Sequence, residues 1–194
     1  MKLEPVTLTG TRVRLEPLKL RHAVGLYDAG NDPRVWVHLP YAIERRHHAE
    51  HFAAAALEGQ ERRGELPFAV IDLTSNKLVG STRFMAVVPE HRRLEIGWTW
   101  YAPEVWGSGV NTECKYLLLT HCFETLGTVR VELKTDILNE RSQRAIERIG
   151  ATREGVFRKH LQRRDGTWRD SVYFSVIDDE WMRVKAHLEG LLAI

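Results

Sequence analysis

Residues 103–127 read PEVWGSGVNTECKYLLLTHCFETLG, and they follow directly on RRLEIGWTWY at 92–101. A β-rich run therefore breaks at Gly107-Ser108-Gly109 and becomes a helix, in which Val110, Cys114, Leu117, Leu118 and Cys122 recur with the 3.6-residue period. A helix N-terminus leaves its first N–H groups without partners and carries a partial positive charge. Glycines there let several amides converge and remove side chains that would block a large anion, so the turn can cradle a phosphate or pyrophosphate. The same glycines also suit a tight strand-to-helix turn with no ligand. Two familiar phosphate motifs are excluded. A Walker A loop needs Gly-Lys-Ser/Thr where Val110-Asn111 stands, and a dinucleotide fingerprint needs a third glycine where Thr112 stands.

Upstream, LPFAVIDL, KLVGSTRFMAVV and RLEIGWTWY are separated by TSN and PEHR and predict three antiparallel strands in a meander. Before them, TRVRLEPL predicts a strand from Arg12 to Glu16, and helices are expected over Leu20–Ala29 and Glu44–Arg63. Downstream, VRVELKTD reads as a strand. NERSQRAIERIG reads as a short helix with Ala145, Ile146 and Ile149 inward and Gly150 as its stop. A hairpin turns at Asp165-Gly166, and DDEWMRVKAHLEGLLA closes the chain as a helix. The order is mixed α/β (α+β): a central sheet covered by helices, in a single domain over 1–194 with no linker or repeat.

The 28 Lys and Arg against 26 Asp and Glu leave no electrostatic footprint for nucleic acid. Cys114 and Cys122 share one helix face too far apart to bridge each other, and read as buried free thiols in a reducing compartment. MKLEPVTLTGTRVRLEPL carries charges and prolines where a signal sequence needs an apolar run, so a cytoplasmic protein with no membrane partner is expected. In ERRHHAEHF, His47 and His51 are four apart, but without the His-Glu-x-x-His order they read as a solvated helix face; no metal is expected.

The stretch LEIGWTWYAPEVWGSGVNTECKYLLLTHCFETLG, followed by VELKTDILNERSQRAIERIGATREGVFRKH, resembles the GNAT acetyltransferase superfamily. More narrowly it resembles the RimJ/RimL-type branch, whose named members acetylate ribosomal-protein N-termini. The likeness runs from TRVRLEPLKLRHA to YFSVIDDEW. Its specific parts are the Trp-Gly-x-Gly turn, the Glu-Ile-Gly strand and the Asn-x-x-Ser helix opening. It implies a mostly antiparallel sheet splayed between its fourth and fifth strands. It implies acetyl-CoA as cosubstrate, with the pyrophosphate on the turn of Trp106, Gly107, Ser108, Gly109, Val110, Asn111 and Thr112. The pantetheine arm would run between the Trp98–Tyr101 strand, Thr99 included, and the Val129–Thr135 strand. Glu104 and Asn111 depart from the family pattern, which has Gln or Arg and Ala there. A homodimer is common among relatives.

Acetyl transfer needs a neutral amine, a polarised carbonyl and a leaving thiolate. Glu95, on the alternation face of Gly97, is the candidate proton acceptor, directly or through water; a solvated strand carboxylate is the equal alternative. Gly97 itself suggests a bulge or close backbone approach. Asn139 is a candidate for the cofactor arm or acceptor, and Ser142 for donation to the departing sulfur. Both residues also suit plain helix capping. Tyr173, on the last strand, is a weaker rival acid and reads first as a core residue. Trp36, His38 and Tyr41 fall in the segment that walls the acceptor pocket in this family, although Trp36 equally suits core packing. The acceptor is expected to be a protein or peptide N-terminal α-amine, with a small amine (amino acid, polyamine or antibiotic) or a non-catalytic CoA-binding module as alternatives.

Overall fold

Alternating strands dominate the middle of the chain, and the computed structural model, which describes residues 1–193, gathers eight of them into one sheet. In chain order the elements are β1 (Leu8–Thr9), β2 (Val13–Pro17), α1 (Ala23–Gly30), α2 (Arg46–Arg63), β3 (Leu66–Asp72), β4 (Lys77–Val88) and β5 (Arg93–Tyr101). There follow α3 (Val110–Thr120), β6 (Arg130–Asp136), α4 (Glu140–Arg148), β7 (Thr152–Gln162), β8 (Trp168–Ile177) and α5 (Asp178–Leu192). The sheet order is β1-β2-β3-β4-β5-β6-β8-β7, and every neighbouring pair is antiparallel except β5 and β6. The expected meander is β3–β4–β5. The two-residue β1 adds one strand before it, so the expected opening between fourth and fifth strands falls between β5 and β6.

Period-2 alternation divides the core between the two faces. Phe68 and Val70 of β3 join α3 and α5 on one face, with Phe68 edge-on to Phe84 at 5.5 Å between ring centroids. Ala69 and Ile71, the intervening residues, join α1 and α2 on the other. Burying each such aromatic contributes about 1.5–3 kcal/mol. Among the described residues no helix is long and apolar enough to cross a membrane.

Several boundaries move for local reasons. The helix expected from Glu44 begins at Arg46, and Gly64 ends it at φ +64°. The helix expected from Leu20 opens as a 3-10 turn over Leu20–His22 before α1. The first expected strand shifts by one residue to Val13–Pro17, because Arg12 belongs to the preceding turn. In α3 the buried stripe is broader than its apolar residues: Thr112, Glu113 and Lys115 are buried with Val110, Cys114, Leu118 and Leu119, while Leu117 stays half-buried, and Cys122 is buried in the turn that follows. Cys114 and Cys122 are free and buried. A single π turn, His121–Thr125, carries the chain out of α3.

Candidate active site

The parallel pairing of β5 with β6 lasts three residues and ends at Glu95↔Glu132. Just beyond, Trp98 sits at φ +49°, a left-handed conformation that kinks β5 away from β6. The kink also resets the alternation. Leu94 and Ile96 face α3, whereas after it Trp98 and Trp100 pack with α1 and α2, and Tyr101 returns to the α3 face. A strand with branched, regular alternation would stay paired; here it opens, and an opening in a sheet exposes backbone groups to whatever lies within it.

Glu95 stands at the closed end of this opening on the α1–α2 face. It is 3% exposed and accepts a hydrogen bond from Lys134 Nζ at 2.6 Å. Burial pushes its carboxyl above the ordinary range, and the Lys134 ammonium opposes that rise without cancelling it. Gly97 clears the space in front: a Cβ there would lie 2.5 Å from Met85 Sδ and 2.9 Å from Glu95 Oε1. The Lys134 ammonium is also 5.6 Å from the Tyr173 ring centroid. The Tyr173 hydroxyl lies 3.3 Å from His160 Nε2, and burial raises its pKa. Tyr173 thus belongs to the polar lining rather than to the apolar core.

The glycine turn lies at the mouth of the opening. Gly107 and Gly109 take φ of +76° and +91°, and a Cβ on Gly107 would meet nothing within 4 Å. The amides of Gly107, Gly109, Val110, Asn111 and Thr112 find no acceptor within the described residues; that of Ser108 donates to Val105 O at 3.3 Å, and Glu113 N begins the helical pattern on Gly109 O. Five unengaged donors lie around one turn, at the positive end of an eleven-residue helix, an arrangement able to cradle an anion. Arg12 overhangs it from the β1–β2 turn, with Nη1 3.5 Å from Ser108 O. Arg12 is held there by Glu113, whose carboxylate accepts from Thr11 N, Thr11 Oγ1, Arg12 N and Val13 N at 2.7–2.9 Å. Glu104 is exposed on the 3-10 turn ahead of the cradle.

Across the opening, α4 begins with Asn139, whose Oδ1 accepts from Ser142 N at 3.1 Å, so Asn139 is an N-cap and keeps its Nδ2 free for other work. The Ser142 hydroxyl is half-buried and finds no partner among the described residues. Trp106 lies between the cradle and α4. Its indole donates to Tyr101 O at 2.8 Å, and its ring is flanked by Arg141 Cζ at 3.7 Å and Arg34 Cζ at 5.8 Å.

Of the three residues expected on the acceptor wall, His38 is half-buried within the field of Asp136, Arg141, Arg163 and Arg169, and burial lowers its pKa. Tyr41 is half-buried and donates to His48 O at 2.8 Å. Trp36 needs correction as a direct contact. It is 1% exposed, 5.0 Å from the Trp100 ring, with its indole donating to Gly30 O, so it packs in the core, the reading its sequence position equally allowed. Lys134, Arg12, Arg141 and Lys115 escape sequence reasoning; only Lys134 had a usable signal, because it shares an alternation face of β6 with Glu132 opposite Glu95. Among the described residues no group of His, Cys, Asp and Glu could hold a metal ion.

Comparison with known proteins extends the geometry. The model of the acetyltransferase (GNAT) domain matches residues 12–152. N-acetyltransferase YoaA of Bacillus subtilis (strain 168), itself uncharacterised, is 30% identical over 118 residues, 61% of this chain and 65% of that protein. A GCN5-related N-acetyltransferase from Brucella melitensis superposes with a TM-score of 0.92 at 31% identity, covering 99% of this chain and 87% of the other. Mycobacterium smegmatis RimJ in complex with CoA-disulfide superposes with a TM-score of 0.83 at 22% identity, covering 97% and 95%, which shows the shared fold.

Proposed function

Because this chain belongs to the GNAT acetyltransferase family, we propose that it moves the acetyl group of acetyl-CoA to a protein or peptide N-terminal α-amine, as in the RimJ/RimL-type branch. The observation that carries the reading is the cluster of unengaged amides at Gly107, Gly109, Val110, Asn111 and Thr112, set beside an opening that ends on a buried carboxylate. Those amides, with Trp106 and Ser108 bounding the turn, hold the diphosphate; the open space at the Cβ position of Gly107 fits so large an anion. Trp98 and Thr99 flank the pantetheine arm from β5, and Asn139 and Ser142 close it from α4.

Acetyl-CoA supplies an activated acetyl group, whose C–S bond breaks as the C–N bond to the amine forms. Glu95 takes the proton that the amine nitrogen loses, directly or through one water, and its burial-raised pKa suits it to that task. Ser142, with an uncommitted hydroxyl, donates to the sulfur that leaves. No cysteine serves as nucleophile: Cys114 is fully buried and its thiol is pushed up to about 12.

The choice of acceptor follows from the strength of the base. Glu95 is already hydrogen-bonded to Lys134, so it can relieve only an amine with a substantial neutral fraction near neutral pH. An α-amine titrates at about 7.7–8.0 and meets that condition, whereas a lysine-type amine at about 10.4 does not. His38 and Tyr41, half-buried on the α1–α2 side, face the acceptor.

Thiol release from acetyl-CoA, measured across peptides, free amino acids and polyamines, tests the reading. Peptides with free N-termini should release thiol fastest, and N-blocked peptides with internal lysines should not. Preferential turnover of polyamines or free amino acids would replace the peptide with a small amine. CoA binding without thiol release for any amine would replace the enzyme with a binding module.

A further inference from the structure

Lys115 is 4% exposed and has no carboxylate partner among the described residues. It lies in the second turn of α3, two residues after Glu113. Side chains two positions apart on a helix point about 200° apart. Glu113 faces the β1–β2 turn, so Lys115 faces the other way, beneath β5. There its Nζ donates to Thr99 Oγ1 at 3.0 Å, and that hydroxyl is 2.7 Å from Thr82 Oγ1. Thr99 follows Trp98, the residue at which β5 leaves β6. The ammonium therefore sits behind the strand where the sheet parts.

A buried ammonium with one acceptor for three N–H groups is unfavourable, and an apolar side chain of similar length would fit α3 better. Burial lowers its pKa to about 8. From β4 and β5 it meets the neutral hydroxyls Thr82 and Thr99. On its own helix Glu113 is turned away, and the Cys114 thiol is neutral, pushed up to about 12. Among the described residues no anion balances this charge. The hydrogen-bond directions add a second point. Lysine only donates, so Thr99 Oγ1 must accept from it; when Thr82 also donates, the Thr99 hydrogen is left for a third atom.

Resting on the acetyl-CoA reading above, we infer that Lys115, acting through the Thr99 hydroxyl, is the positioned positive charge that stabilises negative charge on the thioester during acetyl transfer. The amine lone pair forms the C–N bond, the C–S pair goes to sulfur, and the amine proton goes to Glu95. Lys115 keeps its proton, and Thr99 donates a hydrogen bond to the developing charge. Lys115 is thus a positioning residue for a donor that touches substrate.

The test compares the full chain with its Lys115→Met, Lys115→Arg, Thr99→Val and Lys115→Met/Thr99→Val variants, using acetyl-CoA and the fastest amine. Lys115→Met is expected to lower kcat about ten- to a hundredfold, by analogy with loss of an oxyanion donor. CoA affinity by calorimetry should stay within about threefold. The alkaline fall of kcat/KM for acetyl-CoA, centred near pH 8 as Lys115 loses its proton, should disappear. Lys115→Arg should recover part of the rate, and the double variant should be no slower than the slower single one. Methionine fills similar space without charge, so Lys115→Met should melt no lower than the parent, separating lost rate from lost fold. An unchanged kcat and pH profile, or additive losses in the double variant, overturns the inference. Parent protein that fails to bind CoA in calorimetry overturns the cosubstrate reading itself, a result distinct from either.

Discussion

Glu113 and Lys115 stand two residues apart on one helix, both almost wholly buried, and the chain treats them in opposite ways. Glu113 accepts four hydrogen bonds and ties the β1–β2 turn to α3; a Cβ on Gly10 would come within 2.6 Å of its carboxyl carbon, so the fit leaves no slack. Lys115 makes one hydrogen bond and faces the parting of β5 from β6. A buried charge with every partner in place holds a fold together, while one left short of partners is waiting for something outside the chain. The closed flank of α3 is architecture. The open flank is chemistry.

Substitutions on the two flanks should separate accordingly. The largest effect is expected from Glu113→Ala, which strips four donors of their acceptor and should cost about 3–5 kcal/mol in urea unfolding. The rate per folded molecule should stay within about threefold; a large fall in kcat with unchanged stability would erase the distinction. Next, Glu95→Gln should lower kcat about a hundredfold while the unfolding midpoint moves little. Burial, opposed by Lys134, raises the folded pKa of Glu95, and the base works only when ionised. Activity should therefore fall as pH drops through that raised value, and Gln should remove this acid limb. Gly109→Ala, at φ +91° on the boundary of the flanks, should do both: about 1–2 kcal/mol of left-handed strain and a higher KM for acetyl-CoA. Ser142→Ala should be mildest, lowering kcat less than about tenfold with CoA affinity unchanged. Wild-type kcat there would leave Thr99 as the sole donor to the thioester.

Local signals carried much of this. The meander, the glycine turn and the Asp165-Gly166 hairpin each rest on residues close in sequence, and Gly166 indeed turns at φ +84°. The two-residue β1 was not legible, since so short a pairing depends on β2 rather than on its own pattern. Glu113 and Lys115 were hidden by the helical period itself, which counts apolar residues and takes charged ones for the wet face. The Glu95–Lys134 contact joins residues 39 apart in sequence, through the one parallel pairing of the sheet. Trp36 illustrates the converse: its neighbourhood left pocket contact and core packing equally open, and its partners Trp100, Phe52 and Tyr41, all distant in sequence or set by the loop's path, put it inside.

The flanked indole of Trp106 has an optical consequence. Of the six tryptophans, Trp36 and Trp100 are sealed in the core, whereas Trp106 is half-buried, with Arg141 Cζ 3.7 Å and Arg34 Cζ 5.8 Å from its ring centroid and Gly107 next in the chain. Any polyanion settling on that turn must draw on the same cations, and the indole's emission should shift as Arg141 is pulled from its face. The chain thus carries its own reporter of occupancy, readable without label or turnover.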